Sequence, residues 1–249
     1  MSEVPMIEGV SRLVLPDPHI IFDQVTFAHG ENVVFNGFSL ALQERRVGLI
    51  GSNGSGKSSL LRLAHGLALP TSGVITTVGL NTATRRKQIP SRVGFLFQNP
   101  DRQIIFPTVG EEIAFGFQER GDTRLEAMRQ AVVWLSRFGR AEWADRIVHD
   151  LSEGQKQLVC LISVLALEPS LILLDEPFAS LDLATRLAFA DQLQALDQPI
   201  VMASHDLDFL APFDRIVWLE QGRVRADGPP RDVLETYRAE AHQGMKKLA

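Results

Sequence analysis

The sequence predicts an α/β fold with a mixed, largely parallel β-sheet core, an N-terminal antiparallel β subdomain and an inserted helical subdomain. Residues 20–42 alternate between apolar and polar side chains, which favours two antiparallel strands. From Thr108 to Leu167 the alternation stops and apolar side chains recur at helical spacing. Short, almost continuous apolar runs are typical of parallel strands covered on both faces, and they occupy residues 47–50, 171–174, 200–203 and 216–219.

The length of 249 residues suits one large α/β domain with a subdomain. We expect a single domain over residues 1–249, in which about 20–98 and 168–234 form the α/β core and about 99–167 form the helical insert. The formal net charge is −5. The chain therefore has no overall attraction to nucleic acid, and no nucleic-acid partner is expected.

The single cysteine, Cys160, excludes a disulfide within the chain and lies in an apolar run, so it is expected to be a buried thiol. The N-terminus lacks the basic and apolar regions of a signal peptide. The longest apolar run in the helical stretch, residues 158–167, is shorter than the roughly 20 residues that span a bilayer. We expect a soluble, cytoplasmic protein that reaches a membrane only through a partner.

In chain order, the residues before about Pro18 carry no clear pattern and are interpreted as an N-terminal arm. A helix follows the strand at 47–50 and is expected to end near Gly66. The other predicted strands occupy residues 20–27, 33–42, 74–78, 92–97, 171–174, 200–203 and 216–219. In the helical stretch, residues 126–138 should present one apolar face, formed by Met128, Val132, Leu135 and Phe138.

Residues 51–58 read Gly-Ser-Asn-Gly-Ser-Gly-Lys-Ser and join the strand at 47–50 to the helix. This pattern, between a strand and a helix, indicates a loop whose backbone N–H groups surround phosphate oxygens. Lys57 supplies a charge for the β- and γ-phosphates, and the Ser58 hydroxyl can ligate Mg²⁺. The sequence therefore predicts nucleoside triphosphate binding by Ser52, Asn53, Gly54, Ser55, Gly56, Lys57, Ser58 and Ser59.

The apolar strand at 171–174 ends in two carboxylates, Asp175 and Glu176. In phosphate-loop proteins an aspartate in this setting holds Mg²⁺ directly or through water. A second carboxylate beside it can act as a general base toward water. A strand that ends in Asp-Glu is common by itself, and it becomes specific only because the phosphate loop is present.

With these residues the chain resembles an ATP-binding-cassette ATPase over about Ile20 to Leu234. The most specific segment is residues 151–155, Leu-Ser-Glu-Gly-Gln, which resembles the Leu-Ser-Gly-Gly-Gln signature of that family. The resemblance implies the P-loop NTPase cassette fold, ATP and Mg²⁺ as ligands, and a head-to-tail dimer in which this segment covers the ATP of the other protomer. Ser152, Gly154 and Gln155 would then contact nucleotide, although Ser152 can equally be a helix N-cap, and both roles are compatible.

Three further residues match the family by position. Gln98, after the strand at 92–97, resembles the Q-loop glutamine that senses Mg²⁺ and water. Asp182, in Ser180-Leu181-Asp182, resembles the D-loop at the dimer interface. His205, after the strand at 200–203, resembles the switch histidine that contacts the γ-phosphate. The resemblance therefore implies that Glu176, His205 and Gln98 are catalytic, and that Ser58, Gln98 and Asp175 hold the metal.

Two positions depart from the family pattern. His29 stands where the family usually has an aromatic residue that stacks on adenine, and imidazole offers less area for stacking. Glu153 replaces the third, glycine position of the signature. A carboxylate close to a triphosphate is unfavourable, so we expect Glu153 to face solvent.

Residues 98–109 contain Asn-Pro-Asp-Arg-Gln and resemble the Asn-Pro-Asp-x-Gln segment of energy-coupling-factor importers, which take up vitamins and transition-metal ions. Residues 43–50 and the short C-terminus resemble the biotin members of that group. Asp101 and Gln103 follow Gln98 closely, and we interpret them as coupling residues that grip a membrane subunit. We also expect Asp101 to cap a short helix that runs through Ile105.

The resemblance implies an ATPase at the cytoplasmic face of the inner membrane that powers uptake of a vitamin, and the biotin members of the group indicate biotin as that vitamin. Its partners would be a second ATPase protomer, a transmembrane coupling subunit and a substrate-binding membrane subunit. Uptake of cobalt, nickel or another vitamin is an alternative, as is a soluble clamp that acts on a macromolecule without transport. A small-molecule kinase is a third class, but it has no use for the segments around Ser152 and Asp182.

Overall fold

The structure is a computed structural model that describes residues 18–179 and 181–248, with side chains described to residue 242. The predicted N-terminal arm and Ser180 lie outside the described residues. The strands of the described part are β1 (Ile20–His29), β2 (Asn32–Leu42), β3 (Arg46–Ile50), β4 (Ser72–Thr77), β5 (Leu80–Asn81), β6 (Val93–Leu96), β7 (Leu171–Asp175), β8 (Ile200–Ala203), β9 (Arg215–Glu220) and β10 (Arg223–Gly228).

The helices of the described part are α1 (Lys57–His65), α2 (Val109–Glu119), α3 (Arg124–Arg137), α4 (Glu153–Ala166), α5 (Leu183–Gln194), α6 (Leu207–Leu210) and α7 (Pro230–Leu248). Short 3₁₀ helices lie at Arg86–Gln88, Pro100–Arg102, Ala141–Trp143 and Val148–Asp150. All the predicted strands are present, and α1 ends before Gly66 as expected.

The chain divides into two compact bodies. The helical body contains residues 91–172 and 177–198. The sheet body contains the described residues up to 90, together with 173–176 and 199–248. The predicted helical insert, 99–167, is narrower than the helical body, because α5 packs against α4 and joins it.

The sheet body contains an antiparallel sheet of order β2-β1-β4-β5, in which Ile20 pairs with Leu42 on one side and Thr77 on the other. A second sheet runs in the order β10-β9-β3-β8-β7. Its centre is parallel, with β3 between β8 and β9, and β10 adds an antiparallel edge. The predicted α/β class with a mixed sheet and an antiparallel N-terminal part is confirmed.

The parallel centre of the sheet body decides where its polar residues meet. Val47, Leu49 and Ile50 of β3 are fully buried, as are the residues of β8. Parallel strands end at one edge, and ligands of α/β proteins bind outside that edge. The loop after β3, the carboxylates at the end of β7 and the segment after β8 therefore lie together.

The helical body packs α2, α3, α4 and α5 around apolar side chains, with β6 beside the start of β7. The buried face of α3 is formed by Ala127, Ala131, Trp134 and Leu135. The predicted face was therefore wrong in part, since Val132 is 40% exposed and Met128 is only half-buried. Small alanines let α3 approach its neighbours closely, and the Trp134 indole donates to Ile162 O (3.1 Å) on α4.

Cys160 on α4 is completely buried, as predicted, and burial raises the pKa of its thiol. Among residues 18–179 and 181–248, no helix combines the length and apolar character needed to cross a membrane.

Candidate nucleotide site

The loop between β3 and α1 has a backbone that depends on its glycines. Gly51, Gly54 and Gly56 have φ of 141°, 81° and 110°, a region that residues with a Cβ rarely adopt. A Cβ on Gly51 would lie 2.1 Å from Leu219 O, and one on Gly56 would lie 2.8 Å from Phe35 Cζ. Gly51 and Gly56 therefore pack closely against β9 and β2, while Ser52, Asn53 and Gly54 are exposed.

The N-terminus of α1 lacks a side-chain cap. Its N-cap is Gly56, which makes no side-chain capping bond, and no acidic residue lies in the first turn. The N–H groups of the first turn therefore have no partner from a capping side chain. Such a helix end, preceded by a glycine-rich loop, binds an anion such as phosphate.

Lys57 lies inside this loop and is 6% exposed. Its Nζ donates to Gly51 O (2.8 Å) and Ser52 O (3.3 Å). Burial lowers the pKa of Lys57, and this is opposed by the nearby carboxylates of Glu176 and Asp175. The loop thus holds its cation on the inner side, where a bound phosphate would meet it.

Ser58 and Asp175 form the oxygen pair that was predicted to hold a metal. Ser58 Oγ donates to Asp175 Oδ1 at 2.7 Å, and Asp175 is 2% exposed. Burial raises the pKa of Asp175, while the bond from Ser58 and the Arg62 charge act in the opposite direction. In the described part of the chain no cluster of three or more His, Cys, Asp or Glu could hold a metal alone. The pair fits Mg²⁺, which takes few protein ligands and shares the rest with water and phosphate.

Glu176 has a left-handed backbone, with φ of 50°. Its N–H donates to Ala203 O (2.9 Å), and its Oε2 accepts from the His205 N–H (3.2 Å). Its Oε1 is buried and accepts no hydrogen bond within the described residues. Strained backbone persists where the surroundings fix it and is concentrated at functional sites. Glu176 is thus held with one carboxylate oxygen that accepts no hydrogen bond from the described residues.

His205 joins Glu176 to the phosphate loop. Its Nε2 lies 3.4 Å from Glu176 Oε1 and 3.1 Å from Asn53 Oδ1. Asn53 is predicted from the sequence to bind phosphate, and its contact with His205 is an addition from the structure. This contact arises because β3, β8 and β7 lie side by side in the sheet, whereas the three residues are far apart in the chain.

His29 is exposed at the end of β1, beside the first turn of α1. Its ring packs edge-to-face on Phe27, with centroids 4.7 Å apart, and its Nε2 lies 3.5 Å from Ser59 Oγ. The His29 ring is therefore held against Phe27, next to the first turn of α1.

In the helical body, Ser152 is the N-cap of α4. Its Oγ accepts from Gln155 N (3.3 Å), and Gln155 Oε1 accepts from Ser152 N (3.1 Å), which completes a capping box. Glu153 is exposed, as expected. Gly154 is buried, and a Cβ there would lie 2.6 Å from Thr185 Cγ2. The glycine is needed for packing between α4 and α5.

Asp182 also caps a helix. Its Oδ1 accepts from Thr185 N at 2.9 Å, and the hydrogen bonds from Thr185 lower the pKa of the Asp182 carboxyl. The segments around Ser152 and Asp182 are therefore adjacent within the helical body, because Thr185 contacts both Gly154 and Asp182.

Gln98 is exposed just after β6. The residue before it, Phe97, is fixed on both sides of its backbone: its N–H donates to Gln103 Oε1 (3.2 Å) and its carbonyl accepts from Gln157 Nε2 (3.1 Å). Gln157 is 2% exposed and was missed by the sequence analysis. Its position on the inner face of α4 was the available signal.

The Asn-Pro-Asp segment differs from the prediction in its cap. Asn99, not Asp101, caps the 3₁₀ helix, since Asn99 Oδ1 accepts from Asp101 N (2.9 Å). The carboxylate of Asp101 instead forms an ion pair with Lys156 on α4, at 2.8 Å. Pro100 follows Asn99 and biases it to the extended conformation that an N-cap requires, which explains the shift.

Gln103 points inward, because its Nε2 donates to Cys160 O (3.4 Å) in addition to the bond with Phe97. Asp101 is therefore the more exposed of the two predicted coupling residues.

Comparison with known proteins gives a consistent result. The family described as ABC transporter matches residues 35–179. A biotin transport ATP-binding protein of Rhodobacter capsulatus is 49% identical, over 86% of this chain and 91% of that protein. Another of that name, from Rhizobium etli, is 38% identical over 88% of this chain and 98% of that protein.

Among solved structures, cbiO1 of Clostridium perfringens, part of the ABC transporter complex cbiONQ, superposes with a TM-score of 0.75 at 28% identity, covering 88% of this chain and 91% of that one. The ATP-binding cassette MJ0796, solved as a dimer bound to ADP and Pi, has a TM-score of 0.73 at 26% identity, covering 85% of this chain and 98% of that one.

Proposed function

We propose that this chain, which belongs to the ABC transporter family, is the ATP-hydrolysing subunit of an energy-coupling-factor importer. We further propose that the cargo of this importer is biotin. The observation that carries the choice of cargo is the 49% identity, over most of both chains, to a protein named for biotin transport. The likeness to cbiO1 of the cbiONQ complex supports the importer type.

ATP binding follows from the loop and the α1 N-terminus. The loop and the first turn of α1 would offer backbone N–H groups to the phosphates, and Lys57 can move from its carbonyl partners to the β- and γ-phosphates. Ser58 and Asp175 would hold Mg²⁺, which neutralises charge on the phosphates when bound. His29 would stack on the base, and its contact with Phe27 would limit the movement of its ring.

Hydrolysis needs a group that accepts a proton from the attacking water. Glu176 Oε1 is suited to this because it is buried, accepts no hydrogen bond from the described residues and belongs to a residue whose backbone is fixed. His205 orients Glu176 through its N–H and meets the γ-phosphate side of the loop through Asn53. Gln98 would add a contact to metal and water, as its family position implies.

The active form would be a head-to-tail dimer, which is in keeping with the dimeric cassette MJ0796. Ser152, Gly154 and Gln155 of one protomer would cover the nucleotide in the phosphate loop of the other, and Asp182 would lie at the same interface. The capping box at Ser152 would open so that the first-turn N–H groups of α4 meet the γ-phosphate.

Coupling to membrane subunits would use the segment after Gln98. Asp101 is exposed and forms an ion pair with Lys156 on α4. A displacement of Asp101 by a membrane subunit would therefore be transmitted to α4, whose N-cap is Ser152. Gln103 would act from inside, by holding Phe97 and hence Gln98. The partners would be a transmembrane coupling subunit and a substrate-binding membrane subunit, with this chain at the cytoplasmic face of the membrane.

The enzymatic part is tested with Glu176→Gln. ATP binding should be retained while hydrolysis falls about 10²–10⁴-fold, the usual contribution of general-base assistance. ATP turnover and nucleotide affinity are measured together. Glu168→Gln is the matched control, since Glu168 also has a left-handed φ, of 51°, and should keep the parent rate. Parent-rate hydrolysis by Glu176→Gln would place the base elsewhere.

The transport part is tested by purifying the tagged chain from detergent-solubilised membranes and measuring biotin uptake by the complex in vesicles. Asp101→Ala should keep the ATPase rate of the isolated subunit and reduce both subunit association and uptake. Asp145→Ala, at another exposed aspartate, should change neither. Uptake of cobalt or nickel instead of biotin would show that the cargo is a metal ion and that the proposed cargo is wrong. Purification without any integral membrane partner would overturn the importer.

A further inference from the structure

The helical body contains a cavity of about 320 Å³ that no proposed step uses. It lies between the end of α3, the 3₁₀ helix at Ala141–Trp143, the first turn of α4 and the outer turns of α5. Aromatic and aliphatic side chains form much of its wall, including Phe138, Trp143, Leu158 and Phe189. Its volume falls at the lower end of the range for small-molecule sites, about 300–1,000 Å³.

The charge in this cavity has one sign. Arg140 lines it, and none of the described residues that line it is acidic. The guanidinium carbon of Arg140 lies 5.1 Å from the centre of the Trp143 ring, and its Nη1 donates to Gly139 O (2.9 Å). Its Nε is buried and has no hydrogen-bond partner within the described residues. A buried donor without an acceptor is rare and calls for a ligand or another explanation.

From these observations we propose that this cavity is a binding site for a small monocarboxylate with an aromatic or aliphatic body. The body would fill the space between Trp143, Leu158 and Phe189, and the carboxylate would pair with the guanidinium of Arg140, which lines the cavity. A carboxylate matches the planar fork of a guanidinium, which can donate two parallel hydrogen bonds. With a single cation in the wall, one negative charge is the complement.

The site is placed to influence the segment at Ser152. Gln155 lines the cavity and also closes the capping box on Ser152. Thr185 lines it as well and touches Gly154. An occupant would therefore contact both α4 and α5 where they pack most closely. Regulation of ATP hydrolysis from this site rests on the proposed function, whereas binding itself does not.

Binding is tested in the absence of nucleotide with phenylbutyrate and its neutral amide, phenylbutyramide. The readouts are the change in tryptophan fluorescence of the full chain, to which Trp143 in the cavity wall contributes, and saturation-transfer NMR. Phenylbutyrate should bind about tenfold or more tightly than the amide, because the charged hydrogen bond to Arg140 is lost in the amide. Since no ATP is used, failure here is distinct from failure of the proposed function.

Two variants locate the site. Arg140→Gln should weaken phenylbutyrate binding by about tenfold or more, and Ala188→Leu should abolish it by filling the cavity. Arg137→Gln is the matched control, since Arg137 stacks on Trp134 and does not line the cavity. Circular dichroism establishes folding, and Arg140→Gln decides alone if Ala188→Leu does not fold. Equal binding of acid and amide, unchanged binding by Arg140→Gln, or no binding at millimolar concentration would overturn the proposal.

Discussion

Two helix N-termini in this protein are built in opposite ways. The N-terminus of α1 begins after Gly56 with no side-chain cap and carries Lys57 as its first residue. The N-terminus of α4 begins after Ser152 with a complete capping box and carries Glu153 as its first residue. One helix end thus leaves its N–H groups without a side-chain partner beside a cation, and the other satisfies them beside an anion.

A bound anion stabilises the N-terminus of α1, whereas the N-terminus of α4 is already stabilised by its own side chains. Unpaired N–H groups and a buried cation at α1 leave a free-energy deficit that phosphate removes. At α4 the capping box already removes that deficit, so a phosphate there gains little until the cap opens. We infer that the isolated chain binds nucleotide through α1, and that α4 takes part only when a second protomer brings its nucleotide.

The comparison is tested most strongly by Gly56→Ala. The new Cβ would meet Phe35, which is 1% exposed, and the backbone would keep a φ of 110°. Strain and overpacking together should cost roughly 2–5 kcal/mol of unfolding free energy, measured in urea. Gly54→Ala is the control, because its φ of 81° is strained but its Cβ meets open space. Equal losses in both variants would show that contact with Phe35 does not shape the loop.

Lys57→Ala removes the cation from the α1 site. Loss of hydrogen bonds to a charged phosphate should weaken ATP binding by about 1.5–3 kcal/mol, roughly 10- to 150-fold, measured by calorimetry. Pyrophosphate should raise the melting temperature of the parent and not of this variant. Lys87→Ala, at an exposed lysine, should behave as the parent. An unchanged ATP affinity would remove the contrast between the two helix ends.

Ser152→Ala removes the side-chain cap at the N-terminus of α4 and should have the smallest effect of these three substitutions. Loss of the N-cap should cost about 1 kcal/mol of unfolding free energy, while ATP affinity of the isolated chain stays at the parent value. Ser136→Ala, at an exposed serine within α3, should change stability by less than about 0.5 kcal/mol. Weaker ATP binding by isolated Ser152→Ala would show that α4 contributes to the nucleotide site within one chain.

Much of the sheet body could be predicted because its signals are local. Four near-continuous apolar runs gave β3, β7, β8 and β9, and the glycines of residues 51–58 gave the loop. Local signals predict the helical body less well. The helical spacing on α3 favours Met128 and Val132 for the core, but Ala127 and Ala131 are buried there instead. Burial on this helix depends on how closely the neighbouring helices approach, which the spacing does not encode.

The residue types of the nucleotide site and their order along strand, loop and helix follow from the sequence, since backbone conformation and helix start are fixed by neighbours in the chain. Which of these residues touch depends on the tertiary structure. The contacts of His205 with Asn53 and Glu176, and the hydrogen bond from Gln157 to the Phe97 carbonyl, each join segments that are far apart in the sequence. Such contacts depend on strand order and helix packing, which no local pattern encodes.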